Sequence, residues 1–385
     1  MFGELKRFVL IPDSFKGTMG SAEICEILEG AIRESFPEAQ IRQIPVADGG
    51  EGSVDAFLRA LPGKKAEARV KGPFFEDIAS FYGLLGDGGT AVVEMAACAG
   101  LPLAEGRLDP MAATTFGVGQ LILEAARAGA KKIIVGLGGS ATNDGGCGAA
   151  AAAGVKFFDR DGKEFVPTGG TLADIAAIDA SGYDPLLRGA EIVAMCDIDN
   201  PLHGPDGAAH VFGPQKGASP EMARLLDDGL RSFDAALRAS LGKDLSRMPG
   251  AGAAGGMGAG MAAFFGAELK MGIDVVLDTV HFDELARDAD LILTGEGRID
   301  AQSLRGKVAI GVARRARAAG VPTVAIVGDA GDGAEGAYAE GVSGIFSINR
   351  LAVDFSLARP RCRDDLRFAA ANLMRFCKAM QPNEP

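Results

Sequence analysis

Two rhythms of apolar residues run along this chain. Near both ends, short apolar runs alternate with stretches whose hydrophobic residues recur every three or four positions, the mark of buried strands followed by amphipathic helices. FVLIP (8–12) predicts a strand. After it, Ser21 can cap a helix whose apolar positions Ile24, Ile27, Leu28 and Ala31 share one face, with Pro37 as its stop. IRQIPV (41–46) predicts a second strand and SVDAFLRAL a second helix. The same rhythm returns late in the chain. DLILTGEG predicts a strand and turn, VAIGVARRARAAG a helix with a glycine stop, VPTVAIVGDAG a strand and turn, VSGIFSI another strand, and 362–380 a closing amphipathic helix. Strands alternating with helices imply a doubly wound parallel sheet.

The middle reads differently. EARVKG, IASFYGLL and TAVVEMA are strand-like runs separated by Gly or Asp turns, too close together for crossover helices, so antiparallel pairing is expected there. KKIIVGLGG and EIVAMCDIDN follow, each a strand entering a polar loop. The expected organisation is two α/β domains: a Rossmann/flavodoxin-like domain built from 1–65 and 285–385, and an inserted mixed α/β domain, 66–284. The only biased segment is PGAGAAGGMGAGMAAFFGAE, whose helix-forming sequel favours a close-packed helix start presenting N–H groups.

The length of 385 residues agrees with two domains. With 48% hydrophobic residues, three tyrosines and no tryptophan, the apolar mass is aliphatic and Phe, as in an α/β enzyme. The net charge of −12 offers no basic stripe for nucleic acid, while a local Lys or Arg with backbone N–H groups can still hold a small phosphate. No run of eighteen apolar residues and no signal-like start in MFGELKR support a membrane span or export. Six scattered cysteines (25, 98, 147, 196, 362, 377) without CxxC point to reduced thiols in a cytoplasm.

Candidate chemistry lies where strands end. ADGGEG (47–52), GLGGSATNDGG (136–146) and TGEGRID (294–300) each follow an apolar run and combine glycines with carboxylates. Glycine lets backbone approach an anion, and carboxylates hold Mg2+ or accept a proton. PDSFKG, ADGGEG and TGEGRID are expected on one edge of the outer domain. GLGGSA matches the dinucleotide fingerprint, but that motif needs a helix to open inside it, and TNDGG opposes one. GAGAAG (250–255) follows no strand, and RGKV misses the last P-loop position. Lys307 opens a helix against the dipole, which a nearby anion would explain. His203, His210 and His281 have no ligand spacing and read as structural.

Taken together, PDSFKG, PVADGGEG, GLGGSATNDGG, CDIDNPL, GAAGGMGAG and TGEGRIDAQSLRGK, in that order from about residue 8 to about 375, closely resemble the glycerate kinase family of bacterial glyoxylate and galactarate breakdown. The resemblance implies an ATP- and Mg2+-dependent cytoplasmic kinase that converts D-glycerate to 2-phosphoglycerate, with its active site in the cleft between two α/β domains. It implies no nucleic-acid or membrane partner and leaves room for a homo-oligomer. Carried onto the motifs, Asp197 is the expected base, with Asp144 in reserve and Asp199 two residues away as a competitor; Lys16 and Asp48 complete the catalytic set. Gly49, Gly50, Gly138, Gly139, Ser140, Asn143, Gly295 and Lys307 are expected at ATP, and Asp48, Glu51 and Glu296 at the metal. Ser14, Asp144, Asn200 and Arg298 are expected at the substrate. The weaker readings are the same kinase yielding 3-phosphoglycerate, a nicotinamide-dependent hydroxy-acid oxidoreductase, and a non-catalytic binding protein for small acids.

Overall fold

A computed structural model describes residues 5–47 and 49–381. The chain divides into two compact units, one of residues 1–47 with 273–385 and one of 48–272.

The first unit holds a five-stranded, all-parallel sheet. Its spatial order is Val342–Ser347, Thr323–Val327, Leu291–Gly295, Arg7–Pro12, Gln40–Gln43. Both ends of the chain therefore share one sheet: Phe8 to Pro12 run alongside Leu291 to Gly295. Alternating side chains build two cores. Phe8, Leu10, Leu293 and Ile326 pack against the helices Ser21–Ser35 and Cys362–Ala379 on one face. Ala325 and Val327 meet Ile310 and Ala313 of the helix Val308–Ala318 on the other. Helices on both faces explain why the inner strands are buried along nearly their whole length and mostly apolar. The second strand stops at Gln43, short of the expected Val46, because Pro45 has no N–H to continue the ladder.

The second unit is built on a mixed six-stranded sheet ordered Glu268–Lys270, Glu191–Met195, Lys132–Gly136, Thr90–Glu94, Asp77–Leu85, Gly63–Lys71. The first four strands are mutually parallel, and the last two pair antiparallel, as the short turns between them require. A core of aliphatic residues and Phe surrounds it.

Both expected domain boundaries shift. Helix Ser53–Ala60 belongs with the second unit, because the buried Glu94 carboxylate accepts from its first backbone amides, Ser53 N (2.8 Å) and Val54 N (3.4 Å). Helices Gly272–Thr279 and Phe282–Asp288 belong almost wholly with the first. Arg315 on helix Val308–Ala318 grips Asp278 (2.5 Å) and Asp283 (2.7 Å).

The dinucleotide reading of GLGGSA fails structurally as expected: after strand Lys132–Gly136 the helix starts only at Cys147. The glycine-alanine tract does lead into a helix, Ala253–Phe264, but its start is not open to a ligand. Ala254, Gly255 and Gly256 take left-handed φ values of 53°, 70° and 88°, and the tract presses on the turn at 142–146, where Gly145 N donates to Gly255 O at 3.1 Å. Among the described residues no helix is long and apolar enough to cross a membrane.

Candidate active site

Counted along the chain, the five strands of the first unit lie in the order 2-1-3-4-5, so the order reverses between Arg7–Pro12 and Leu291–Gly295. At such a reversal the following loops diverge to opposite faces and leave a crevice at the carboxyl ends. Asp13 N donates to Gly295 O at 2.8 Å, tying the two loops at their roots. The two loops run side by side at Gly297, where a Cβ would make ordinary contacts with Phe15 Cα at 3.5 Å and Lys16 N at 3.6 Å. Lys16 is exposed, Ser14 half-buried, and the Ser14 amide donates to the Asp13 carboxylate.

Glu296 is the unusual group of this crevice. It is 5% exposed; Oε2 accepts from Ser303 Oγ at 3.0 Å, while Oε1 is buried without a hydrogen-bond partner. Burial pushes its pKa up to about 7; Ser303 and Lys307 oppose the rise, and Asp13 and Asp300 add to it. Lys307 is exposed at the N-cap of helix Val308–Ala318, and the exposed Arg298 pairs with Asp300 at 3.5 Å. Gly295 is buried at the strand end, where a Cβ would fall 1.9 Å from Ile326 O, so no other residue fits.

The turn 49–52 does not join that edge, contrary to the sequence expectation. Gly138 N donates to Gly49 O at 2.9 Å, and a Cβ at Gly138 would lie 2.7 Å from Gly50 N. These glycine backbones pack together at the carboxyl ends of strands Lys132–Gly136 and Glu191–Met195, inside the second unit. Glu51 is exposed beside Gly139, and Gly50 is buried. Asp48 lies outside the described residues.

On the same edge, Asp197 follows strand Glu191–Met195, exposed, with Oδ1 accepting from Gly272 N at 2.6 Å. Asp199 is exposed as well. Asn200 is half-buried and donates to Asp206 O at 2.9 Å, which steadies its own loop. Ser140 is buried but for 5%, and Asn143 is wholly buried with both amide atoms unpartnered.

Asp144 also departs from its expected role. It is fully buried and accepts from Thr115 N and Oγ1, Gly146 N and Gly148 N, so its carboxylate locks the turn and caps helix Cys147–Ala152. A carboxylate that is enclosed and four times engaged cannot take a substrate proton, and neither the reserve-base nor the substrate reading fits it.

Three groups escaped the sequence. Asp13 had a signal, being the first residue after a strand. Glu94 ended an apolar run but had no glycine beside it. Lys216, in FGPQKG, looked like any loop lysine; it is 2% exposed and donates to Ser140 Oγ (2.8 Å) and Thr142 O (2.7 Å). Burial lowers its pKa to about 7, against the pull of Asp144.

Among the described residues no three His, Cys, Asp or Glu side chains are grouped to hold a metal. Glu51 and Glu296 belong to different units. The crevice of the first unit nonetheless suits a hard divalent cation. Mg2+ typically takes one or two carboxylates plus substrate phosphates, and an orphaned, desolvated carboxylate oxygen beside two more carboxylates is a donor of that kind.

Comparison with known proteins agrees with these features. The model of the glycerate kinase family matches residues 8–378. A glycerate kinase of Bacillus subtilis strain 168 is 45% identical over 89% of this chain and 90% of its own length. A glycerate 2-kinase of Escherichia coli K12 is 46% identical over 89% and 90%. A crystal structure of a Salmonella typhimurium LT2 protein provisionally assigned as glycerate kinase 2 superposes with TM-score 0.85 at 40% identity, covering 98% of this chain and 99% of that one. With the match running nearly end to end in sequence and in fold, the chain belongs to the glycerate kinase family of enzymes.

Proposed function

We propose that the chain transfers the γ-phosphoryl group of ATP to the C2 hydroxyl of D-glycerate, giving 2-phosphoglycerate and ADP. The observation that carries this reading is Glu296: a carboxylate buried at the strand-order reversal, partnerless on one oxygen and held near neutral pKa, which a magnesium nucleotide would satisfy. The choice of C2 follows the Escherichia coli relative, named a glycerate 2-kinase.

Phosphoryl transfer is largely positioning and charge stabilisation. In the first unit, Lys16 and Lys307 are the cations proposed to neutralise the phosphates, the latter at a helix N-terminus that already favours an anion. Glu296 would hold Mg2+, whose chemistry when bound is to offset charge on the transferred group. Arg298 and Ser14 stand on the two loops of that crevice and suit polar oxygens of nucleotide or acid. In the second unit, the exposed turn at Gly139 is proposed to offer a backbone contact to an anion. Asp197, oriented by Gly272 N, is proposed to take the hydroxyl proton as the glycerate oxygen attacks phosphorus and ADP departs.

The deciding experiment is phosphorus NMR of the product from D-glycerate and ATP with Mg2+. A 2-phosphoglycerate resonance with matching ADP is expected; 3-phosphoglycerate would move the attack to C3, and no phosphorylated acid would refute the reaction.

A further inference from the structure

We propose that Lys216 is a positioning residue for ligand binding: through Ser140 it prepares a hydrogen-bond donor for an anionic oxygen, either a nucleotide phosphate or the glycerate carboxylate. The proposal rests on reading the turn 136–146 as part of the ligand site.

The argument begins with cost. Burying an ammonium group costs on the order of several kcal/mol before its hydrogen bonds offset it. A lysine that is 2% exposed therefore needs a reason beyond holding the fold. Lys216 ties the backbone of the turn at one point, Thr142 O, and other bonds tie the rest. Leu101 N donates to Gly139 O and Ala141 N to Ala99 O, both at 2.9 Å, and Asp144 closes the far end with four accepted hydrogen bonds.

Beyond that carbonyl, Lys216 fixes a side chain. In its protonated form Lys216 has donors only, so in the 2.8 Å contact Ser140 Oγ is then the acceptor. The hydroxyl hydrogen of Ser140 must then go to another acceptor, and the charge behind the oxygen makes that O–H a stronger donor. Ser140 adjoins Gly139, which is exposed, so the strengthened donor lies next to the open part of the turn. A second sign of a polar occupant comes from the next residues, where Thr142 Oγ1 and both amide atoms of Asn143 are buried without partners.

The test combines K216M, S140A and the double variant. Affinities for ADP and for D-glycerate are measured separately by calorimetry, alongside melting temperature. For K216M, which also frees Thr142 O, a modest fall in melting temperature is expected, while S140A should melt as wild type does; affinity for one of the two ligands should fall about ten- to a hundredfold, the range of a charge-assisted hydrogen bond. The arm that changes identifies phosphate or carboxylate as the anion. S140A should lose about as much, and the double variant no more than either, since both act through one bond. Equal affinities for both ligands in K216M, or losses that add fully in the double variant, would overturn the proposal. So would an S140A melting temperature that falls in step with its affinity. If K216M does not fold, S140A alone decides: wild-type affinity for both ligands refutes the role. Wild-type turnover of D-glycerate with ATP is scored separately. Its absence overturns the proposed reaction, whereas normal wild-type turnover with K216M indistinguishable from it overturns only the role of Lys216.

Discussion

Replacing Glu296 by Gln keeps shape and most hydrogen bonding while removing the charge that burial resists. Its pKa stands at about 7 in the folded chain against an ordinary 4.5. At about 1.4 kcal/mol for each tenfold change in proton affinity, the difference corresponds to about 3 kcal/mol. The folded pKa is raised, so the stabilising contribution is fully present below pH 4.5 and is lost as pH rises through about 7. Without ligands, wild type should therefore lose up to about 3 kcal/mol between those limits from this group, and E296Q should not. At pH 8 the variant should be the more stable protein, with the gap closing on acidification. Urea melts across pH, followed by circular dichroism because the chain has no tryptophan, read this directly. The same charge should reappear in function. Binding of a magnesium nucleotide favours the carboxylate, so wild-type affinity should weaken as pH falls below about 7, and E296Q should bind weakly with no such slope. A variant less stable than wild type at pH 8, or one that keeps wild-type pH dependence in both melts and binding, would refute the reasoning.

Asp197→Asn should lower turnover by about 10²–10⁴-fold with nucleotide affinity preserved, measured by steady-state kinetics and calorimetry; weakened nucleotide binding with modest loss of rate would make Asp197 a metal ligand instead. Lys16→Met and Lys307→Met each remove an exposed cation, so melting should stay put while kcat drops about 10²–10³-fold; near-normal rates in both would remove them from the phosphate site. Asp144→Asn turns an amide toward four donors in a buried turn and should cost about 3 kcal/mol or more, seen as a lower melting temperature; wild-type melting would contradict its locking role.

Much of the architecture was legible because it is local. Apolar runs such as FVLIP and VPTVAIV identify strands by themselves, and helix 308–318 follows from its spacing and glycine stop. The antiparallel pairing of 63–71 with 77–85 follows from a connection too short for a crossover. Glu296 stands out on its glycine turn and Lys307 by opening a helix against the dipole, and the Lys307 charge acts on the Glu296 carboxylate.

Other features depend on partners distant in the chain. Whether ADGGEG belonged to the first sheet or the second could not be read from its glycines; it was settled by backbone contact with Gly138, nearly ninety residues on. Asp144 and Asp197 look alike in sequence, each a carboxylate in a polar loop after a strand. Four donors enclose one and leave it structural, while the other stays exposed at a strand end. Lys216 is the extreme case. Burial is a property of what surrounds a residue, and the groups that surround this lysine lie more than seventy positions away at Ser140 and Thr142. By itself the sequence determined strands, helices and the residue types available for chemistry, because those follow from periodicity and side-chain identity. Which carboxylates and lysines are desolvated emerges with folding, because desolvation arises from contacts made across the whole chain.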